Sequence, residues 1–173
     1  MADLTPFQTI GPYFAILPLA GEDFAATPDA KGRAIVIDGT VRDGAGAVVP
    51  DALIETWQAD AAGRCDAYVA QFRGFARAMT DAAGRYEIRT IAPGSIGTGH
   101  APHVLVSVLA RGVLTRLVTR VYFPEETANA TDPILAIVPE TRRGSLIAGR
   151  ESPDRYRFDI VLQGPGETVF FDV

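Results

Sequence analysis

Few side chains in this sequence could bind a transition metal or act as a nucleophile: two histidines, one cysteine and five tyrosines. His103 opens the apolar run Val104–Leu109, which reads as a strand, and His100 sits just before it in a glycine-rich loop. On a strand, residues two apart project from one face, and no plausible partner ligand shares the face of His103. His100 and His103 together would still need a third and a fourth donor, which the nearby sequence lacks. His103 therefore reads as a packed, hydrogen-bonded histidine rather than a proton shuttle or a working ligand. Cys65 follows Arg64, but a thiol nucleophile also needs a base, and no motif supplies one. An inert thiol is the better reading.

The elements that must position these residues are short and β-rich. Ala34–Arg42 and Leu53–Gln58 read as strands, separated by the turn Asp43-Gly44-Ala45-Gly46. Asp81-Ala82-Ala83-Gly84 joins two more, with Tyr86–Thr90 alternating after it. Val104–Leu109 and Leu114–Phe123 read as a long hairpin about Arg111-Gly112, and Tyr156–Leu162 and Thr168–Asp172 supply the last strands. One helix is expected, over Thr141–Arg150 between Pro139 and Pro153. Trp57, in mid-strand, reads as core. Glu87, Arg89, Arg142 and Arg143 read as solvated, and Asp43 and Asp81 as turn residues that bond their own backbone. The fold class expected is all-β: an antiparallel β-sandwich with an extended N-terminal arm and at most one or two short helices.

Residues 1–33 carry Pro6, Pro12, Pro18 and Pro28 and no clear period, yet they include Phe7, Tyr13, Phe14 and Phe24. An arm rich in aromatics but without a core of its own suggests docking against something else. Residues 34–173 form the sandwich. The composition, 47% hydrophobic and 21% charged over 173 residues, suits one globular domain. A net charge of −5 argues against nucleic-acid binding. Lys31 is the sole lysine, so the cations are nearly all guanidinium, which suits planar contacts to carboxylates. A single cysteine excludes an internal disulfide and fits a reducing compartment. Met1–Phe7 has no signal-peptide pattern and no apolar run is long enough to span a membrane, so a soluble cytoplasmic protein is expected.

Several segments, in order, resemble the intradiol ring-cleaving dioxygenases. They are Gln8-Thr9-Ile10-Gly11-Pro12-Tyr13, Ile54-Glu55-Thr56-Trp57-Gln58-Ala59-Asp60, Gly84-Arg85-Tyr86, Thr90-Ile91-Ala92-Pro93-Gly94, Ala101-Pro102-His103, Arg120-Val121-Tyr122-Phe123 and Tyr156-Arg157-Phe158-Asp159-Ile160. They cover nearly the whole chain. The ending Gly166-Glu167-Thr168-Val169-Phe170-Phe171-Asp172 is similar to the α-type chains of two-chain members. The resemblance implies a family site of two tyrosines and two histidines holding Fe(III), where tyrosinate supplies hard anionic oxygen and imidazole completes the set. Here those positions fall on Cys65, Ile96, His103 and Leu105. One ligand of four survives, so no iron is expected in this chain, and Fe(III) is assigned to a partner β subunit.

The same resemblance implies an αβ enzyme, pseudo-symmetric and assembled into higher αβ oligomers, that opens a carboxylated catechol between its two hydroxyls. This chain alone would be inactive. Its contributions to the partner's substrate entrance would be Thr9, Gly11, Pro12 and Tyr13 on the arm, and Arg111 at the hairpin turn. An ordinary turn at the arm's root and a solvated turn arginine are the competing readings. Two rivals stand beside this reading. One is a stand-alone homodimeric dioxygenase using Cys65, Tyr68, His100 and His103, and the other is a β-sandwich binding module for carbohydrate or protein.

Overall fold

The structure, a computed structural model, describes residues 22–66, 71–97 and 99–172. Among the described residues nine strands form two packed sheets. They are β1 Ala34–Arg42, β2 Leu53–Gln58, β3 Phe75–Met79, β4 Arg85–Ile91, β5 His103–Leu109, β6 Leu117–Tyr122, β7 Gly149–Ser152, β8 Arg155–Arg157 and β9 Ile160–Val161. One sheet runs β3-β2-β5-β6 and is antiparallel throughout. The other runs β4-β1-β8-β7, with β9 also on β1. The expected sandwich is present, and its second sheet is mixed, because β8 and β9 run parallel to β1.

The core lies between the sheets. Ile35, Ile37, Tyr86 and Ile88 from one meet Ile54, Ala76, Val104, Val106, Val108 and Val121 from the other, all buried. Alternation along each strand sends the intervening residues to the outer faces. On β2 this puts Glu55 and Trp57 outside, and Trp57 is 36% exposed rather than core. It packs on Phe75 with ring centroids 4.9 Å apart and lies opposite Leu105.

The stretch Tyr156–Leu162, expected as one strand, is split by side-chain chemistry. Asp159 Oδ1 accepts from the Thr40 amide at 2.8 Å, taking a partner that a continuous ladder would have supplied from backbone. The Phe158 carbonyl meanwhile crowds β1 at Gly39, where an added Cβ would lie 1.9 Å from that oxygen. Only glycine allows this approach. Tyr86 donates to the same carbonyl at 2.6 Å. Thr168–Asp172 is extended but forms no strand. It ties the sheets through Thr168 N to Val161 O and Phe171 N to Val118 O.

The expected helix over Thr141–Arg150 is cut short. Helix α1 spans Pro133–Ile137 and α2 spans Glu140–Arg143, followed by a 3-10 turn at Gly144–Leu146. Leu146 is fully buried, and the Ala148 amide donates to the Tyr122 carbonyl at 2.9 Å, which draws the chain into an extended path. Tertiary contact overrides local helix preference there. Strand β6 begins at Leu117, and Leu114 is exposed.

Of the expected arm, Met1–Gly21 lies outside the described residues. Residues 22–27 are sewn to this chain's own edge strands. Glu22 O accepts from Arg77 N on β3, and Asp23 O from Arg89 N on β4, at 2.7 and 2.9 Å. The segment thus closes one open edge of each sheet, the kind of edge that otherwise invites aggregation. Among the described residues no helix is long and apolar enough to cross a membrane.

Candidate functional site

The pentapeptide Asp-Ala-Ala-Gly-Arg occurs twice, at 60–64 and 81–85, and folds the same way both times. Asp60 Oδ1 accepts from the Ala62 and Arg64 amides, and Asp81 Oδ1 from the Ala83 and Arg85 amides, at 2.8–2.9 Å. The arginine then pairs back on its own aspartate. These are the backbone-bonding turns that aspartate favours, and Asp43 does the same with Ala45 and Ala47. The first copy is followed by Cys65, which is exposed.

That turn is stacked on the loop bearing Ile96. Gly94 N donates to Asp60 O at 2.8 Å, and a Cβ on Gly63 would come within 1.9 Å of the Ser95 carbonyl oxygen. Ser95 Oγ then reaches the His100 carbonyl at 2.6 Å. The loops of Cys65 and Ile96 are therefore brought into contact and tied to the segment that leads into His103. Cys65 and Ile96 point to no shared donor set, since Ile96 is 41% exposed and has no lone pair to give. Tyr68 lies outside the described residues, as do Thr9, Gly11, Pro12 and Tyr13.

His103 is buried on the outer face of the β3-β2-β5-β6 sheet. Its Nδ1 lies 2.8 Å from the Ala101 carbonyl oxygen, which can only accept, so Nδ1 carries the proton. Burial holds the imidazole below its ordinary pKa, and Arg120 adds to this, although the Ala101 bond opposes it. The ring packs at 5.5 Å from Tyr122. An Nδ1–H to backbone carbonyl bond is also how metal-bound imidazoles are commonly oriented. The orienting bond is present here, but Leu105 occupies the next position on that face.

A buried carboxylate that the sequence reading passed over organises this region. Asp132, with no side-chain exposure, accepts from the amides of Ala101, Ile134 and Leu135 and from the Tyr122 hydroxyl. Burial alone would raise its pKa, but the bonds from Leu135, Ala101, Tyr122 and Ile134 outweigh it and hold the carboxyl below its usual range. Tyr122 is pushed up to about 12 by burial, and so it stays a hydroxyl donor. His100 Nδ1 stands 3.7 Å from Asp132 Oδ2. Thr131-Asp132-Pro133 is a legible signal, an N-cap aspartate followed by proline at the first helical position.

The donor set does not fit a ferric ion. Leucine and isoleucine offer no lone pair, the Cys65 thiol is exposed, and one neutral imidazole remains.

Arg111 lies at the other end of β5, in the turn that Val113 N closes on Ala110 O at 3.1 Å. Its side chain is 83% exposed, and its guanidinium Nη2 contacts Asp51 Oδ2.

Two sheets of this topology describe a dioxygenase-type sandwich. Comparison with known proteins agrees: a family model described as "Dioxygenase" matches residues 10–164. The chain belongs to the intradiol dioxygenase family. It is 46% identical to the protocatechuate 3,4-dioxygenase alpha chain of Burkholderia cepacia, over 98% of this chain and 97% of that one. The beta chain of the same organism is 40% identical over 79% of this chain and 67% of its own length. Among solved structures, the dioxygenase domain of a dioxygenase carbohydrate-binding protein fusion from Streptomyces sp. SirexAA-E superposes with a TM-score of 0.68. It is 29% identical and covers 94% of this chain and all of that one. Enzymes of this family use Fe(III).

Proposed function

We propose that this chain is the α-type, non-iron-binding subunit of an αβ protocatechuate 3,4-dioxygenase. The complex would convert protocatechuate and O₂ to 3-carboxy-cis,cis-muconate by cleaving the ring between its hydroxyls. One observation carries the reading: end-to-end similarity to an alpha chain combined with Leu105 where a second imidazole would be needed. The Fe(III) belongs to the protocatechuate 3,4-dioxygenase β subunit, and the complex works in the cytoplasm. Similarity of one chain to both alpha and beta relatives supports a pseudo-symmetric pair, repeated in a larger αβ assembly.

In this reading the arm over residues 1–33 docks on the partner through its part ahead of Glu22, and Thr9, Gly11, Pro12 and Tyr13 border the partner's substrate entrance together with Arg111. An exposed guanidinium there attracts the ring carboxylate of protocatechuate through charge-assisted hydrogen bonds. Cys65, Ile96, His103 and Leu105 are the vestigial metal-site positions.

The deciding experiment is co-expression with a β-type chain, followed by metal analysis. One iron per αβ pair and none in this chain alone is the expected outcome. A burgundy, catechol-cleaving preparation of this chain by itself would establish a self-sufficient homodimer instead. For the entrance, Arg111→Ala in the assembled complex raises KM for protocatechuate more than for uncharged catechol. Equal changes for both substrates would remove the electrostatic role.

A further inference from the structure

We infer that Asp51 is a positioning residue for Arg111, and so tunes how the complex takes a carboxylated substrate. The inference rests on the Arg111 role proposed above. Arg111 is a long side chain at the tip of an exposed turn, and left alone its guanidinium would sample many rotamers. Asp51 Oδ2 engages Nη2, and no other ion pair or hydrogen bond of Arg111 occurs among the described residues. One side of the guanidinium is thereby held, while Nε and Nη1 remain open to an incoming carboxylate.

The base that holds it is firm. Asp51 adopts a left-handed backbone, φ 64°, the only non-glycine residue to do so among those described. Aspartate and asparagine tolerate this conformation far better than branched or bulky residues. Thr80, on the neighbouring chain segment, pins both flanks. Its Oγ1 accepts from Ala52 N at 2.8 Å and donates to Val49 O at 2.7 Å, and its amide donates to Ala52 O at 2.8 Å. Asp51 is half-buried against Arg111, while the arginine is mostly in solvent. The restraint thus runs from the sheet, through Thr80 and Asp51, to the guanidinium. The two turns share the rim of a cleft of about 670 Å³, with Asp43, Val113 and Gln163 on its other sides.

An exposed ion pair constrains only modestly, so the effect is a change of about two- to five-fold, not a loss of activity. The test uses the co-expressed αβ complex carrying Asp51→Ala, Asp51→Gly, Arg111→Ala and the Asp51→Ala/Arg111→Ala pair. Steady-state kcat and KM are measured for protocatechuate and for catechol. Asp51→Gly removes the carboxylate while suiting the left-handed backbone, which separates positioning from folding. Both single Asp51 variants should raise KM for protocatechuate by about two- to five-fold. Their kcat and their KM for catechol should stay unchanged, and Asp51→Ala should do nothing further once Arg111 is alanine. An unchanged or lowered protocatechuate KM in Asp51→Gly, with Arg111→Ala still raising it, overturns the Asp51 inference alone. An Asp51→Ala effect that persists without Arg111 overturns it as well. If Arg111→Ala itself leaves the two substrates alike, the Arg111 role fails and Asp51 falls with it.

Discussion

The two ends of β5 carry polar side chains of very different standing. At the N-terminal end His103 is 8% exposed, bonded to its own loop at Ala101, packed on Tyr122 and backed by Asp132. At the C-terminal end Arg111 is 83% exposed and touches one half-buried carboxylate. The polar groups of the first end are taken up by bonds within the fold. The side chain at the second end is tied to the fold by that one contact and is otherwise open to solvent. The two ends of one strand thus separate two roles: holding the sandwich together and, in the function proposed above, facing the substrate.

The sharpest way to break this contrast is Asp132→Ala. It strands the Ala101, Ile134 and Leu135 amides and the Tyr122 hydroxyl, all at or near the buried end, and removes the cap of α1. A loss of roughly 3 kcal/mol or more is expected in urea unfolding, from unsatisfied buried donors together with the lost cap. A loss below about 1 kcal/mol would mean that water replaces the carboxylate and that this end is not sealed.

A milder probe is pH. Because burial keeps His103 below its ordinary value near 6.5, the unfolded chain takes up this proton first as pH falls. Its contribution to stability is intact above that value and declines as pH drops toward the depressed folded one, by at most about 1.4 kcal/mol per pH unit. His103→Gln, which retains an amide donor for the Ala101 carbonyl, should flatten the stability profile below about pH 6.5. A profile as steep as the parent's would assign the slope to other groups. The smallest effect belongs to the open end: Arg111→Ala should shift stability by no more than about 0.5 kcal/mol, even as it alters substrate preference. Calorimetry on the same αβ preparations used for kinetics makes that comparison directly.

Much of the frame is legible in the chain. Strands β1 and β2 run over the residues expected, and β4, β5 and the later half of the hairpin follow the alternation. The turns at Asp43 and Asp81 form as their side-chain chemistry dictates. The split at Phe158–Asp159, the early end of the helix after Arg143, and the exposure of Trp57 were not legible. Each depends on a partner far along the chain: Thr40 for Asp159, Tyr122 for Ala148, and the outer sheet face for Trp57.

For the site, the sequence alone determined which atoms are available. Ile96 and Leu105 have no donor in any fold, and His103 is the lone imidazole on its strand face. That conclusion needs only side-chain chemistry and the two-residue period of a strand. Only the tertiary structure decided which partners surround these residues. It set Arg120 opposite Leu105, drew Asp132 under the loop before β5, and brought Asp51 to Arg111. These pairings join residues from 15 to 60 positions apart, separations over which local sequence preference carries no information, so packing selects them.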